Sequence, residues 1–135
     1  FGSPIYYMNL TSGMQTFLER FFFSQYIYSR EIPSVLGKTL PSAFLYTMNA
    51  TEEQATAFHI KENLAAYERA AVGILGAKPY LFYEFNTLQF KDYSKYESSI
   101  FSEEEKHAYH EKHGAEIAEQ AYALGKKLIL DAQKL

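Results

Sequence analysis

Apolar positions along this chain follow two spacings, one typical of buried strands and one typical of amphipathic helices. Short apolar runs occupy residues 42–47 and 78–85, and a proline lies just before the first run and near the start of the second. Runs of this kind are typical of strands in a parallel sheet that is covered on both faces. Stripes with helical spacing precede, separate and follow the two runs, so the chain predicts parallel α/β units.

The first helical stripe follows a segment that we interpret as the end of a strand and a loop. Phe1 would end the strand, and Gly2 to Pro4 would turn the chain out of the sheet, because Pro4 has no N–H group to donate to a central strand. Ser12 and Gln15 fit a capping box that begins a helix. The apolar stripe of this helix consists of Met14, Phe17, Leu18, Phe21 and Phe22.

Two more capping boxes mark the later helices. The run TEEQ at 51–54 predicts a long amphipathic helix that ends at Gly76, and SEEE at 102–105 predicts a helix that continues toward residue 133. Residues 86–101 form a long aromatic and polar loop between them, and loops of this length in compact domains are often functional. The buried stripe of the last helix is predicted to comprise Ile117, Ala121, Leu124 and Leu128.

The three predicted strand ends are followed by loops at residues 2–12, at 48–50 and from 86 onward. If the strands are parallel neighbours, these loops converge on one edge of the sheet, where α/β proteins bind ligands. Taken alone, Ser3, Pro4 and Tyr6 are compatible with an ordinary strand-to-helix turn as well as with a ligand loop.

The loop and the first helix together resemble a known family signature. The run GSPIY at 2–6, followed by GMQ at 13–15 and FLER at 17–20, is similar to the signature of the NAD(P)H-dependent FMN reductases. This family belongs to the flavodoxin-like superfamily, with the multimeric flavodoxins and iron–sulfur flavoproteins as relatives. The runs YTMN at 46–49 and residues 86–96 also look like members with a long final loop. The resemblance covers the whole chain but only the C-terminal part of a family domain.

The resemblance implies a fold and a function. The fold is an α/β, flavodoxin-like parallel sheet flanked by helices, in which residues 1–135 are the C-terminal portion of a single domain and the first strands and the phosphate loop lie upstream. The implied function is an FMN-binding, NAD(P)H-dependent oxidoreductase of the FMN or quinone reductase type, which passes a hydride from nicotinamide to flavin. The alternatives are a non-catalytic electron carrier or interaction module, or a fragment that binds no cofactor.

The resemblance also implies which residues contact the flavin. The first loop contributes family-matched positions and a neighbouring asparagine, and the second loop contributes a looser match. These cofactor-binding residues are Ser3, Pro4, Ile5, Tyr6, Asn9, Thr47, Met48 and Asn49. The flavin carries the difficult chemistry, so we predict no catalytic side chain and no metal ligand. A small-molecule electron acceptor and a homo-oligomeric assembly are expected as partners.

Composition limits the partners, metal clusters and cellular location that the chain is expected to have. The net charge of -3 gives no electrostatic case for nucleic acid or for an anionic membrane surface, and the absence of cysteine excludes thiolate-bound clusters on this segment. We see no signal peptide and no transmembrane run, which favours a cytoplasmic protein. The aromatic run at 21–28 is compatible with core packing and with a subunit interface.

Three histidines on the last predicted helix are candidate metal ligands. His107, His110 and His113 are spaced at i, i+3 and i+6, and the first and last of these positions are splayed by roughly 240° around a helix. We therefore predict that they lie on a solvated helix face.

Overall fold

The structure is a computed structural model that describes residues 1–134, and it contains a four-stranded sheet. The strands are β1 (Gly2–Tyr6), β2 (Asn9–Leu10), β3 (Ala43–Thr47) and β4 (Tyr80–Glu84), in the spatial order β2-β1-β3-β4. β1, β3 and β4 are parallel, and β2 runs antiparallel to β1.

Four α-helices accompany the sheet. They are α1 (Ser12–Gln25), α2 (Glu52–Ala57), α3 (Ile60–Leu75) and α4 (Glu103–Ala132), and a 3₁₀ turn forms at Tyr93–Lys95. Since helical segments connect the parallel strands, the prediction of a mixed α/β fold with helices flanking a sheet is confirmed.

The prediction that Gly2 to Pro4 leave the sheet is wrong. These residues belong to β1, and Pro4 is the register partner of Thr47 on β3. The Leu45 N–H donates to the carbonyl of Phe1 over 2.8 Å. In a parallel ladder only alternate residues bond to a given neighbour, so the nitrogen of Pro4 lies on the opposite edge of β1. A proline is tolerated there because the edge demands no donor from it.

A two-residue hairpin joins β1 to β2, and both of its central residues have positive φ. Tyr7 has φ 49° and Met8 has φ 59°, which is typical of a type I′ hairpin but is usually achieved with Asn-Gly. The side-chain amide of Asn63 on α3 donates to the Met8 carbonyl over 3.1 Å, so the turn is anchored to the helical layer.

Two of the predicted helix boundaries change. Thr11, not Ser12, is the N-cap of α1, because the Thr11 hydroxyl accepts the Met14 N–H over 3.3 Å. The long helix predicted from residue 51 to Gly76 is broken into α2 and α3 at His59, whose φ is 54°. The capping box of Thr51 and Gln54 and the end of α3 at Gly76 are confirmed.

The last helix also begins as predicted. The Ser102 hydroxyl accepts the Glu105 N–H over 3.2 Å at the start of α4. The predicted buried stripe of α4 is only half-buried at its four positions. α4 packs along β4, where the Tyr80 hydroxyl donates to Asp131 and the Lys127 ammonium lies 4.6 Å from the Tyr80 ring centroid.

The main core lies between one face of the sheet and the helices α1 and α3. The sheet contributes Ile5, Phe44 and Tyr46, and the helices contribute buried residues such as Leu18 and Leu64. Within the aromatic run at 21–28, Phe22 is buried in the core, while Phe23, Tyr26 and Tyr28 are exposed. No helix within residues 1–134 combines the length and the apolar character needed to cross a membrane.

A carboxylate in this layer binds two tyrosines. The hydroxyls of Tyr46 and Tyr83 donate to Glu68 on α3 over 3.2 and 3.3 Å. Burial, together with the negative charge of Glu68 and its hydrogen bond, raises the pKa of the Tyr46 hydroxyl above its ordinary value of 10.0. The same causes raise the pKa of the Tyr83 hydroxyl.

These shifts predict an alkaline loss of stability that Tyr46→Phe reduces. A tyrosine whose pKa is raised by folding stabilises the protein below the unfolded pKa, and this contribution is lost as the pH rises above about 10. We expect Tyr46→Phe to be less stable at neutral pH, with a decline above pH 10 that is shallower by up to about 1.4 kcal/mol per pH unit. Urea unfolding of the wild type and of Tyr46→Phe at a series of pH values above 10 measures this difference. If the free energy of unfolding declined equally steeply with pH in the two proteins, the prediction would be contradicted.

Candidate functional site

A cleft of about 400 Å³ lies at the carboxyl ends of β1, β3 and β4. Six residues predicted for the cofactor line it, namely Pro4, Ile5, Tyr6, Thr47, Met48 and Asn49. The other lining residues come from the end of β4, the loop after it and α4, and they are Glu84, Thr87, Leu88, Gln89 and His110. The parallel pairing of the three strands explains this convergence, because it brings their carboxyl ends to the same edge of the sheet.

The other two predicted residues, Ser3 and Asn9, do not line the cleft. Ser3 is buried, and its hydroxyl donates to the Pro4 carbonyl over 2.8 Å and accepts the Thr11 N–H over 3.2 Å. The Asn9 side chain accepts the N–H of Leu10 over 2.8 Å. Both side chains therefore stabilise the backbone around the hairpin and the start of α1.

The cleft presents more polar than apolar surface to solvent. Ile5 and Met48 are buried members of the core, while Tyr6 stands at the rim with 56% of its surface exposed. Thr47 and Gln89 supply polar atoms. The cleft therefore offers hydrogen-bonding groups and one exposed aromatic ring to a ligand.

The loops that follow β3 and β4 are bonded to each other at the cleft. The Met48 N–H donates to the Glu84 carbonyl over 2.9 Å, and the Thr87 N–H donates to the Met48 carbonyl over 3.0 Å. The side-chain amide of Asn49 donates to the Thr87 carbonyl over 3.3 Å. Backbone and side-chain hydrogen bonds within the protein therefore fix this wall of the cleft.

Lys106 on α4 ties the two loops to the helix, and the sequence analysis missed it. Its ammonium donates to the carbonyls of Asn49 and Thr87 over 3.0 and 3.2 Å and to the side-chain oxygen of Asn86 over 2.8 Å. Only 3% of Lys106 is exposed, and this burial lowers the pKa of its ammonium. A lysine in the first turn of an acidic helix start gives no sequence signal of such burial.

The long loop before α4 packs largely on its own aromatic side chains. The ring centroids of Phe90 and Tyr96 are 4.2 Å apart, and the buried Tyr93 meets Phe90 edge-on. The Tyr93 hydroxyl accepts the Gln89 N–H over 2.9 Å, which fixes the part of the loop that lines the cleft. The loop is therefore an ordered wall with the compact character of an Ω-loop.

The prediction that the three histidines of α4 share a solvated face is wrong for His110. His110 lines the cleft, and its Nε2 is buried without a hydrogen-bond partner among residues 1–134. His107 is exposed, and its Nε2 lies 3.6 Å from a carboxylate oxygen of Glu103. The ring centroids of His113 and Tyr109 are 4.7 Å apart. The described part of the chain contains no cluster of three or more His, Cys, Asp or Glu side chains able to hold a metal.

Taken together, the fold and the cleft define an α/β protein with a ligand-sized site at the carboxyl ends of its parallel strands. No protein-family model matches the chain, and neither the curated proteins nor the solved structures contain a match.

Proposed function

We propose that this chain belongs to a flavodoxin-like domain that binds FMN in the cleft and acts as an NAD(P)H-dependent oxidoreductase. The observation that carries the proposal is that two short runs, residues 4–6 and 47–49, which the resemblance names as flavin contacts, line the same cleft. The resemblance selected these residues from sequence motifs, and the position of the cleft beyond the carboxyl ends of parallel strands is where α/β sheets bind nucleotide-like ligands.

The lining fits the ring of a flavin. The volume of about 400 Å³ falls in the range of roughly 300–1,000 Å³ that is typical of small-molecule sites. Tyr6 would cover the ring from the rim, Thr47 and Gln89 would meet its polar edge, and Ile5 and Met48 would support the floor of the cleft from the core. Bound FMN would accept the hydride from nicotinamide, while the residues of this chain bind and orient the ring.

The charge of the cleft fits the ring better than the phosphate. Glu84 is negatively charged, and no lysine or arginine is among the described residues that line the cleft. A phosphate beside Glu84 would be repelled, because like charges in a partly desolvated site are costly. We therefore propose that the ring occupies the cleft and that the phosphate lies outside it.

A homo-oligomer remains part of the proposal. Phe23, Tyr26 and Tyr28 expose aromatic surface at the end of α1 and beyond it, and aromatic residues are enriched in the cores of protein interfaces. A small-molecule electron acceptor and a cytoplasmic location likewise remain predictions.

The rival function, that of an electron carrier without hydride chemistry, would use the same cleft and the same cofactor.

The visible absorption spectrum after incubation with FMN and desalting tests the proposal. We expect a retained flavin spectrum, followed by oxidation of NADH or NADPH when an electron acceptor is added. Retained flavin without nicotinamide oxidation would favour the electron carrier. A colourless protein after desalting, together with unchanged FMN fluorescence in an equilibrium titration, would contradict FMN binding by this chain.

A further inference from the structure

His110 occupies a place on α4 that Lys106 fixes. The two residues are separated by four positions, so they lie on the same face of the helix, one turn apart. The Lys106 ammonium holds this part of the helix against the carbonyls of Asn49 and Thr87, both of which line the cleft. The part of α4 that carries His110 is therefore anchored to the loops that line the cleft.

The imidazole of His110 has an unsatisfied polar atom. Its Nε2 is buried and has no hydrogen-bond partner among the described residues. Buried polar atoms in folded proteins are nearly always paired with protein or with ordered water, so such an exception requires an explanation. The lining side chain of Asn49 is already engaged, since its amide donates to the Thr87 carbonyl.

We infer that His110 is a ligand-contacting residue of the cleft, and that its imidazole turns on binding so that Nε2, which has almost no accessible surface in the structure, forms a hydrogen bond with the polar edge of the bound ring. This inference rests on the proposed function. An isoalloxazine carries two carbonyl oxygens and one N–H group on its pyrimidine edge, so it offers a partner to Nε2 whether that nitrogen donates or accepts. None of the residues selected through the resemblance comes from α4, so this contact adds a second wall to the site.

Histidine NMR tests the contact directly on the complete protein. The chain has four histidines, so a long-range ¹H–¹⁵N spectrum contains few imidazole signals, and His110→Gln assigns the signal of interest. We expect FMN to shift the His110 Nε2 resonance and to leave those of the exposed His59 and His107 unchanged.

The outcomes separate the inference from the proposed function. If FMN is retained after desalting but the His110 Nε2 resonance does not move, the contact is wrong and FMN binding stands. If FMN is not retained and alters no histidine resonance, both the contact and FMN binding by this chain are overturned. A shift confined to His110 supports both.

A pair of matched variants gives a second readout. His110→Leu removes both ring nitrogens, and we expect it to weaken FMN binding about tenfold, as the loss of a buried hydrogen bond does. His107→Leu makes the same change one turn earlier on an exposed position, and we expect its FMN affinity to match that of the wild type. Equal FMN affinities of the two variants would overturn the contact.

Discussion

Lys106→Met is expected to lower the free energy of unfolding by about 2–4 kcal/mol. The ammonium of Lys106 donates three hydrogen bonds, to the carbonyls of Asn49 and Thr87 and to the side chain of Asn86. Methionine fills similar space but donates none of them. The Asn49 carbonyl and the Asn86 side-chain oxygen would lose the donor that satisfies them, whereas the Thr87 carbonyl would keep the Asn49 amide as a donor.

Two effects oppose each other in this substitution. Removing the ammonium also removes the cost of burying a positive charge, a cost that is visible in the lowered pKa of Lys106. Replacing every member of a buried polar group by apolar residues is often neutral for this reason. Here only the donor is replaced, and an acceptor left unsatisfied costs roughly 1–3 kcal/mol. We expect the two acceptors that lose their donor to outweigh the relief of one partly compensated charge.

Lys112→Met is the matched control for this prediction. It makes the same substitution on the same helix at an exposed position, and its effect is expected to stay within about 0.5 kcal/mol. Urea unfolding gives both free energies, and hydrogen exchange of the loop after β4 reports whether the loss is local to the cleft wall. A Lys106→Met protein as stable as the control would show that charge burial cancels the three bonds.

Local chemistry predicted much of this fold. The strands β3 and β4 follow from short apolar runs, and the helix ends at Thr51 and Gly76 follow from cap residues whose effects lie within one turn of the chain. The strand predicted to end at Phe1 continues as β1 to Tyr6, and its extent was not predicted because Pro4 is acceptable only on the open edge of the strand and strand order is not visible in the sequence. The hairpin turn was missed because Tyr7 and Met8 are unusual at positive φ.

The site residues that could be predicted from the sequence are likewise those positioned by local structure, whereas the others depend on long-range packing. Parallel strands bring loops together at their carboxyl ends, so the two loops that meet in the cleft could be named from the sequence. Ser3 and Asn9 fall outside the cleft because their polar atoms bond to nearby backbone, which a motif does not disclose. From α4, more than fifty residues beyond Asn49, His110 reaches the cleft and Lys106 reaches the loops that line it, and both positions depend on packing along β4.

Tyr6→Asp is expected to weaken FMN binding at least about tenfold, which corresponds to about 1.4 kcal/mol. Tyr6 stands at the rim of the cleft, where its ring would cover one face of the flavin. The substitution removes this aromatic contact and adds a negative charge to a cleft that already contains Glu84, and both changes disfavour an aromatic ligand that carries a phosphate. Since 56% of Tyr6 is exposed, we expect only a small loss of folding stability.

Tyr7→Asp separates a direct contact from a general effect of charge. Tyr7 is the neighbouring residue, has 97% of its surface exposed and is absent from the cleft lining, so the same substitution there alters net charge without touching the proposed ring position. Fluorescence titration with FMN should then show weakened binding for Tyr6→Asp alone. Both variants should unfold at a midpoint urea concentration near that of the wild type. Equal weakening in the two variants would assign the effect to long-range repulsion, and unchanged affinity in both would remove Tyr6 from the site. Weakening confined to Tyr6 would mean that the rim formed at the end of β1 contacts the cofactor itself.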